Sequence, residues 1–143
     1  MLSVYPACFF KEENGYSVIF PDLNWLSTCG EDVTDAMEMA VDCLAGYLYD
    51  CQKDHTAIPA PSELSAIHPE KIAEELYPDS PIPEYFVNMV TVDVKSYARE
   101  HFEKSVKKTL TIPAWLNTAA LEQNINFSQV LQEALMNKLQ KQI

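Results

Sequence analysis

Glycine is scarce in this chain, with three in 143 residues, and basic residues are outnumbered by acidic ones, 10 against 21. So little glycine excludes a flexible linker or a low-complexity protein, and a hydrophobic share of 48% excludes general disorder. No apolar run approaches the ~20 residues that span a bilayer. The opening MLSVYPACFFKEENGYSVIF also lacks the basic start and continuous apolar stretch of a secretory signal. The expectation is a soluble, cytoplasmic chain that makes no contact with membrane. Cys8, Cys29, Cys43 and Cys51 contain no CxxC spacing, which argues against a zinc site or a redox pair and for reduced thiols. Cys29 and Cys43 stand in apolar contexts and are expected in the core. His55, His68 and His101 lie far apart in linker-like segments, none beside a recognisable nucleophile, and are expected at the surface. Neither a cofactor nor a metal is expected.

What is present is an uneven distribution of charge. Residues 1–102 carry 5 Lys and Arg against 18 Asp and Glu, a formal charge of -13, whereas residues 103–143 carry 5 against 3, or +2. Two segments with different electrostatic partners follow from that division.

Residues 2–10 and 16–20 are rich in β-branched and aromatic side chains and flank the turn-like KEENG, a hairpin signal with Gly15 free to take positive φ. A short third strand is expected at Ser27–Cys29, after PDLNW. Then Val33, Met37, Ala40, Leu44, Leu48 and Cys51 recur every three or four positions, the stripe of an amphipathic helix. Asp32 is its expected N-cap, with Asp35 in the capping-box position. Six prolines punctuate residues 55–84, which read as a loop-rich connection with a short helix at Pro69–Leu76. YFVNMVTVDV, residues 85–94, reads as a further strand closing the sheet, and residues 95–103 as a helical or irregular linker.

The last segment holds the densest basic cluster, Lys104, Lys107 and Lys108. Val106, Leu110 and Ile112 alternate with Lys107, Thr109 and Thr111, the period of a strand with one buried face. Lys108 breaks the pattern, and Pro113 ends it where a helix can begin. Trp115, Leu116, Ala119 and Ala120 give that helix an apolar side. After NINF, the residues Val130, Leu131, Ala134, Leu135 and Leu139 give a second helix its own, with Asn126 or Ser128 as cap. A strand and two helices in ~40 residues rarely fold alone. The expected solution is a dimer whose two strands pair antiparallel.

Strand, helix and helix in this order resembles the ribbon-helix-helix DNA-binding fold. The resemblance implies that Lys107, Thr109 and Thr111 face the major groove. It also implies that Asn126 and Ser128 meet phosphate at the second helix's start, and that Leu110, Ile112, Trp115, Leu116, Leu131 and Leu135 form the dimer core. The first half, GYSVIFPDLNWLSTCGEDVTDAMEMAVDCL followed by IPAPS, is similar to the signature of HicB-type antitoxins. The match rests on Gly15, Pro21, Asp22, Gly30, Ala36, Pro59, Pro61 and Ser62. Asn24-Trp25-Leu26 departs from it, since members often carry a small or glycine-containing turn there.

The resemblance implies an α+β protein. Its parts would be a degraded RNase H-like sheet with a packed helix (1–94), a linker (95–103) and a ribbon-helix-helix domain (104–143). The implied function is that of an antitoxin. It would neutralise a HicA-type toxin, a small basic mRNA-cleaving protein, and would repress its own operon by binding operator DNA as a homodimer or higher oligomer. The acidic first half suits a basic partner and would repel nucleic acid. A metal-dependent nuclease fits poorly, because the first two strands contain no carboxylate and Asp22 and Asp93 stand far apart. Asp22 is read as a turn former. A stand-alone regulator with a ligand-sensing or oligomerising first half is the other reading.

Overall fold

The computed structural model describes residues 1–140, and the chain divides into two compact units after Lys104. In the first, β1 (Ser3–Glu12) and β2 (Gly15–Phe20) form a hairpin whose register closes at Glu12 opposite Gly15, leaving Glu13 and Asn14 as the turn. Gly15 takes φ +133°, where a side chain is strained. A single 3-10 turn at Pro21–Leu23 leads into β3 (Leu26–Gly30), then come α1 (Val33–Lys53), α2 (Pro69–Leu76), β4 (Tyr85–Val92) and α3 (Val94–His101). The strands lie in the order β3-β2-β1-β4, each pair antiparallel.

Two prolines decide where the hairpin ladder stops. The Lys11 N–H donates to the Glu84 carbonyl at 2.8 Å. By the alternation of antiparallel ladders, odd residues of β1 therefore bond to β4 and even ones face β2. The β1–β2 register runs to Cys8 opposite Ile19. Its next bonded position would set Pro6 against Pro21, and neither has an N–H to give. Toward β4, Pro6 faces Met89 at a position where no hydrogen bond is exchanged, so its missing donor is tolerated inside the sheet.

Strand β1 is buried on both faces. Tyr5, Ala7 and Phe9 point to one side, where Val18, Phe20, Val90 and Val92 join them against Ala36, Ala40, Leu44, Ala45 and Leu48 of α1. Cys8, Phe10 and Ile19 point to the other and pack with Ile67, Ile72 and Ala73. Residues 55–84 are thus more than a connection: their 3-10 turn (Leu64–Ala66) and α2 precede and supply the lid over the second face. Phe9 stacks on its cross-strand partner Phe86 at 4.5 Å between ring centroids.

Helix α1 starts as its sequence predicts, with the Asp32 carboxylate accepting the Asp35 N–H at 2.8 Å and Asp35 accepting from the Glu31 N–H at 2.8 Å. Residues 95–103, expected as a helical or irregular linker, take the helical form over most of their length, as α3, and belong to the first unit. The α3 residues Val94 and Ala98 are buried, and the Tyr97 hydroxyl reaches Asp42 of α1 at 2.8 Å. Asp93 caps this helix through the Ser96 N–H and also holds the N-terminal amine, each at 3.1 Å.

The second unit contains α4 (Ala114–Glu122) and α5 (Phe127–Gln140). The strand expected before Pro113 is absent from the single chain, where residues 103–113 form no regular element. A strand exists by the ladder it shares, and these residues share none within the single chain.

Candidate functional site

Lys107, Thr109 and Thr111 all lie exposed in the irregular segment before α4. Of the two candidate caps, Asn126 serves α5: its side chain accepts the Gln129 N–H and its carbonyl accepts the Val130 N–H, both at 3.1 Å. Ser128 stands inside the first turn and accepts instead from the Gln132 amide at 3.0 Å. The expected dimer-core residues are open in the single chain. Trp115 is 71% and Leu110 60% exposed, Ile112, Leu116 and Leu135 are also exposed, and only Leu131 is half-buried. So much uncovered apolar surface on two short helices marks an unfinished core rather than a finished surface.

In the first unit the signature residues form two structural devices. At one end, a Cβ on Gly15 would fall 2.1 Å from the Gly30 carbonyl oxygen, and one on Gly30 would fall 2.3 Å from the Ala36 nitrogen. Gly15, Gly30 and the buried Ala36 therefore let hairpin, β3 and α1 close on one another. At the other end, Asp22 accepts the Ser62 N–H at 2.7 Å and its hydroxyl at 2.6 Å. The Pro59 carbonyl accepts the Tyr5 hydroxyl at 2.6 Å. Asp22 does cap a backbone N–H, but one 40 residues away rather than in its own turn. Burial, then the nearby Asp22 charge, raises the Tyr5 pKa and keeps that hydroxyl a donor.

Next to the glycine contact lies an open cleft of about 310 Å³, lined by Tyr16, Cys29 and Met39 and rimmed by Glu12, Glu31 and Asp35. Hydroxyls of Ser17 and Tyr77 both donate to the Glu12 carboxylate and hold its pKa below the usual range. Cys29 is exposed here, a correction to its expected place in the core. It alternates along the sheet's outer strand, where only one side packs against α1. Cys43 is half-buried with its thiol toward the Ser27 carbonyl, 3.7 Å away. Burial pushes the Cys8 thiol up to about 11. All three histidines lie at the surface, His101 stacked on Tyr97 at 4.0 Å. The spacing of residues did not reveal the Asp22–Ser62 link or the acidic cleft. The turn residues and the charge excess were their only sequence signals.

Asp22 and Asp93 are each engaged in holding the fold, Asp22 with Ser62 and Asp93 with Ser96 and the N-terminal amine. The first unit is rich in exposed carboxylates, among them Glu12 and Glu31 beside the cleft. Residues 4–72 match the family model described as HicB-like antitoxin of bacterial toxin-antitoxin system. A chain from a toxin-antitoxin complex of Streptococcus pneumoniae is 30% identical, with a TM-score of 0.63 over 96% of this chain and 99% of that one. The chain belongs to the HicB-like antitoxin family. Two further solved structures are similar. The antitoxin HicB3 is 25% identical over 95% of this chain and 97% of that one (TM-score 0.45), and the Burkholderia pseudomallei antitoxin HicB is 17% identical over 96% and 97% (TM-score 0.47). No curated protein matches the chain. Among the described residues, no helix is long and apolar enough to cross a membrane.

Proposed function

We propose that this chain is a two-part cytoplasmic antitoxin without catalytic activity. The first unit, read as a degraded RNase H-like sheet, binds a HicA-type toxin and covers its RNA-binding or catalytic surface. A toxin that holds RNA must be basic, and a block carrying -13 over residues 1–102 both attracts it and avoids competing for the RNA. The second unit dimerises as a ribbon-helix-helix domain and represses the operon by binding operator DNA. In that dimer, residues 104–112 of two chains pair as a ribbon, Lys107, Thr109 and Thr111 meet the major groove, and Asn126 and Ser128 meet phosphate. Leu110, Ile112, Trp115, Leu116, Leu131 and Leu135 close the core between the copies.

The observation that carries this reading is the contrast between the units: one has a closed two-sided core, while the other leaves nearly all its apolar residues uncovered. A second copy supplies both the missing core and the missing strand. The test is co-purification of the chain with the small basic protein encoded beside its gene, followed by a mobility-shift assay on the promoter. Capture of that protein with relief of its toxicity is the expected result. A chain that recovers alone and shifts only DNA would favour a stand-alone regulator.

A further inference from the structure

Between the 3-10 turn at Pro21–Leu23 and β3, the chain reverses through two residues, Asn24 and Trp25, both left-handed, with φ of 57° and 61°. Asparagine is at ease there because its short polar side chain tolerates the conformation, but a bulky aromatic is strained. Glycine or asparagine would make the same turn without strain. Trp25 also keeps 39% of its surface exposed, and among the described residues its indole N–H finds no acceptor, while its carbonyl accepts from the Ser27 hydroxyl at 2.8 Å. The rest of the residue is covered by the fold, so Trp25 both packs on its own unit and presents a surface outward. Strain and exposure together at one large side chain point to a role outside the chain itself.

The surroundings say what that role is. Trp25 stands at one end of β3, which is an outer strand of the sheet, and the acidic cleft with Glu31 and Asp35 stands at the other end. An aromatic side chain, the sheet's outer strand and a carboxylate rim form one strip on a strongly acidic unit. A tryptophan on a tight turn loses few rotamers on binding, and tryptophan is enriched among the residues that carry interface energy. Its ring face also attracts guanidinium and ammonium groups.

We infer that Trp25 is the anchor by which the first unit grips its basic toxin, with the indole packed against an arginine or lysine of that partner and the β3 strip forming the contact. The inference rests on the antitoxin reading and adds to it the place where toxin sits.

The test uses the full chain, titrated with the purified small basic protein encoded beside its gene, and follows folding by circular dichroism. Trp25→Gly and Trp25→Asn suit the left-handed turn, so both variants retain the folded spectrum while their Kd for the toxin rises about tenfold or more. Trp25→Tyr keeps an aromatic face and stays within about threefold of the unaltered chain. Toxin affinity unchanged in both the Gly and Asn variants overturns this inference alone. Loss of the folded spectrum in both also overturns it, because the indole then serves the fold. Altered sedimentation of the free chain with toxin affinity intact would assign the turn to contact between copies instead. If the unaltered chain does not bind the toxin, the antitoxin reading fails, and this inference with it.

Discussion

The Asp22 carboxylate holds Ser62 with both oxygens, Oδ2 accepting the backbone N–H at 2.7 Å and Oδ1 the hydroxyl at 2.6 Å. Through this link the turn after β2 anchors the proline-rich stretch that leads to the lid over the second face of the sheet. Hydrogen bonds to a charged group contribute about 1.5–3 kcal/mol each, and partial burial strengthens them. Asp22→Ala removes both and is expected to lower stability by about 2–4 kcal/mol. Ser62→Ala leaves the backbone bond in place and should cost about half as much. Urea denaturation of the two variants checks this, and equal losses would show that the hydroxyl, not the carboxylate, organises the contact.

The glycines make a second and sharper contrast. A Cβ at Gly30 would stand 2.3 Å from the Ala36 nitrogen and 2.5 Å from its Cα, both backbone atoms, so α1 would have to move. Gly30→Ala is expected to cost about 3 kcal/mol or more, among the largest single effects in the chain. Gly46, inside α1, has only the tip of the Phe102 ring within reach, at 3.9 Å. Gly46→Ala should therefore stabilise by up to about 1 kcal/mol, through helix propensity. Thermal unfolding of the pair distinguishes close approach from simple backbone freedom.

Acid should weaken the fold partly through Glu12. Hydrogen bonds from Ser17 and then Tyr77 lower its pKa in the folded chain. A carboxyl whose folded pKa is depressed contributes stability above its unfolded value, roughly 4.3, and loses that contribution as pH falls through the folded value. Glu12→Gln is thus expected to be less stable than the parent at pH 7, by a small amount because the group is exposed. The two urea midpoints should converge as the pH drops below about 4. Midpoints that stay parallel across this range would show that the hydrogen bonds give Glu12 no preference for its charged form.

For the second unit, Lys107→Ala combined with Thr109→Ala should weaken operator binding while leaving toxin binding intact. If Lys107 contacts phosphate, Lys107→Ala alone should reduce the salt dependence by about 0.9 in log–log slope for each copy in the dimer. Leu110→Asp with Ile112→Asp should leave the chain monomeric in sedimentation, with the first unit still folded. Operator affinity unchanged by the Lys107 and Thr109 substitutions would remove the ribbon from the DNA interface.

Much of this molecule was legible as local pattern. The Gly15 hairpin, the cap at Asp32 and the stripe from Val33 to Cys51 are periodic or turn-specific signals that neighbouring residues state together. So was α2, whose bounds at Pro69–Leu76 follow from proline at the helix start. Less legible was anything that depends on a distant partner. Ile67, Ile72 and Ala73 sit in a segment broken by prolines, and nothing local reveals that they cover Cys8 and Phe10. The segment of Val94–His101 read as a linker, helical or irregular, because its short run is mostly polar, and only the packing of Val94 and Ala98 in the first unit makes it part of that core.

The same division holds for the candidate sites. Charge imbalance, the alternation before Pro113 and the signature glycines, prolines and Asp22 are properties of the chain as written. They determined the family and the acidic and basic halves, and they carry the proposal that Lys107, Thr109 and Thr111 face DNA. Tertiary structure alone decided that Asp22 meets Ser62, that Pro6 and Pro21 end the same ladder, and that Gly30 clears a path for α1. It also placed Trp25 in a left-handed turn at the end of the sheet's outer strand. Each of these joins residues far apart in the chain or depends on a backbone angle, and hydrophobic periodicity carries neither distance nor dihedral. The proposed ribbon would lie one level further still, because a strand whose partner is another chain takes its structure from assembly.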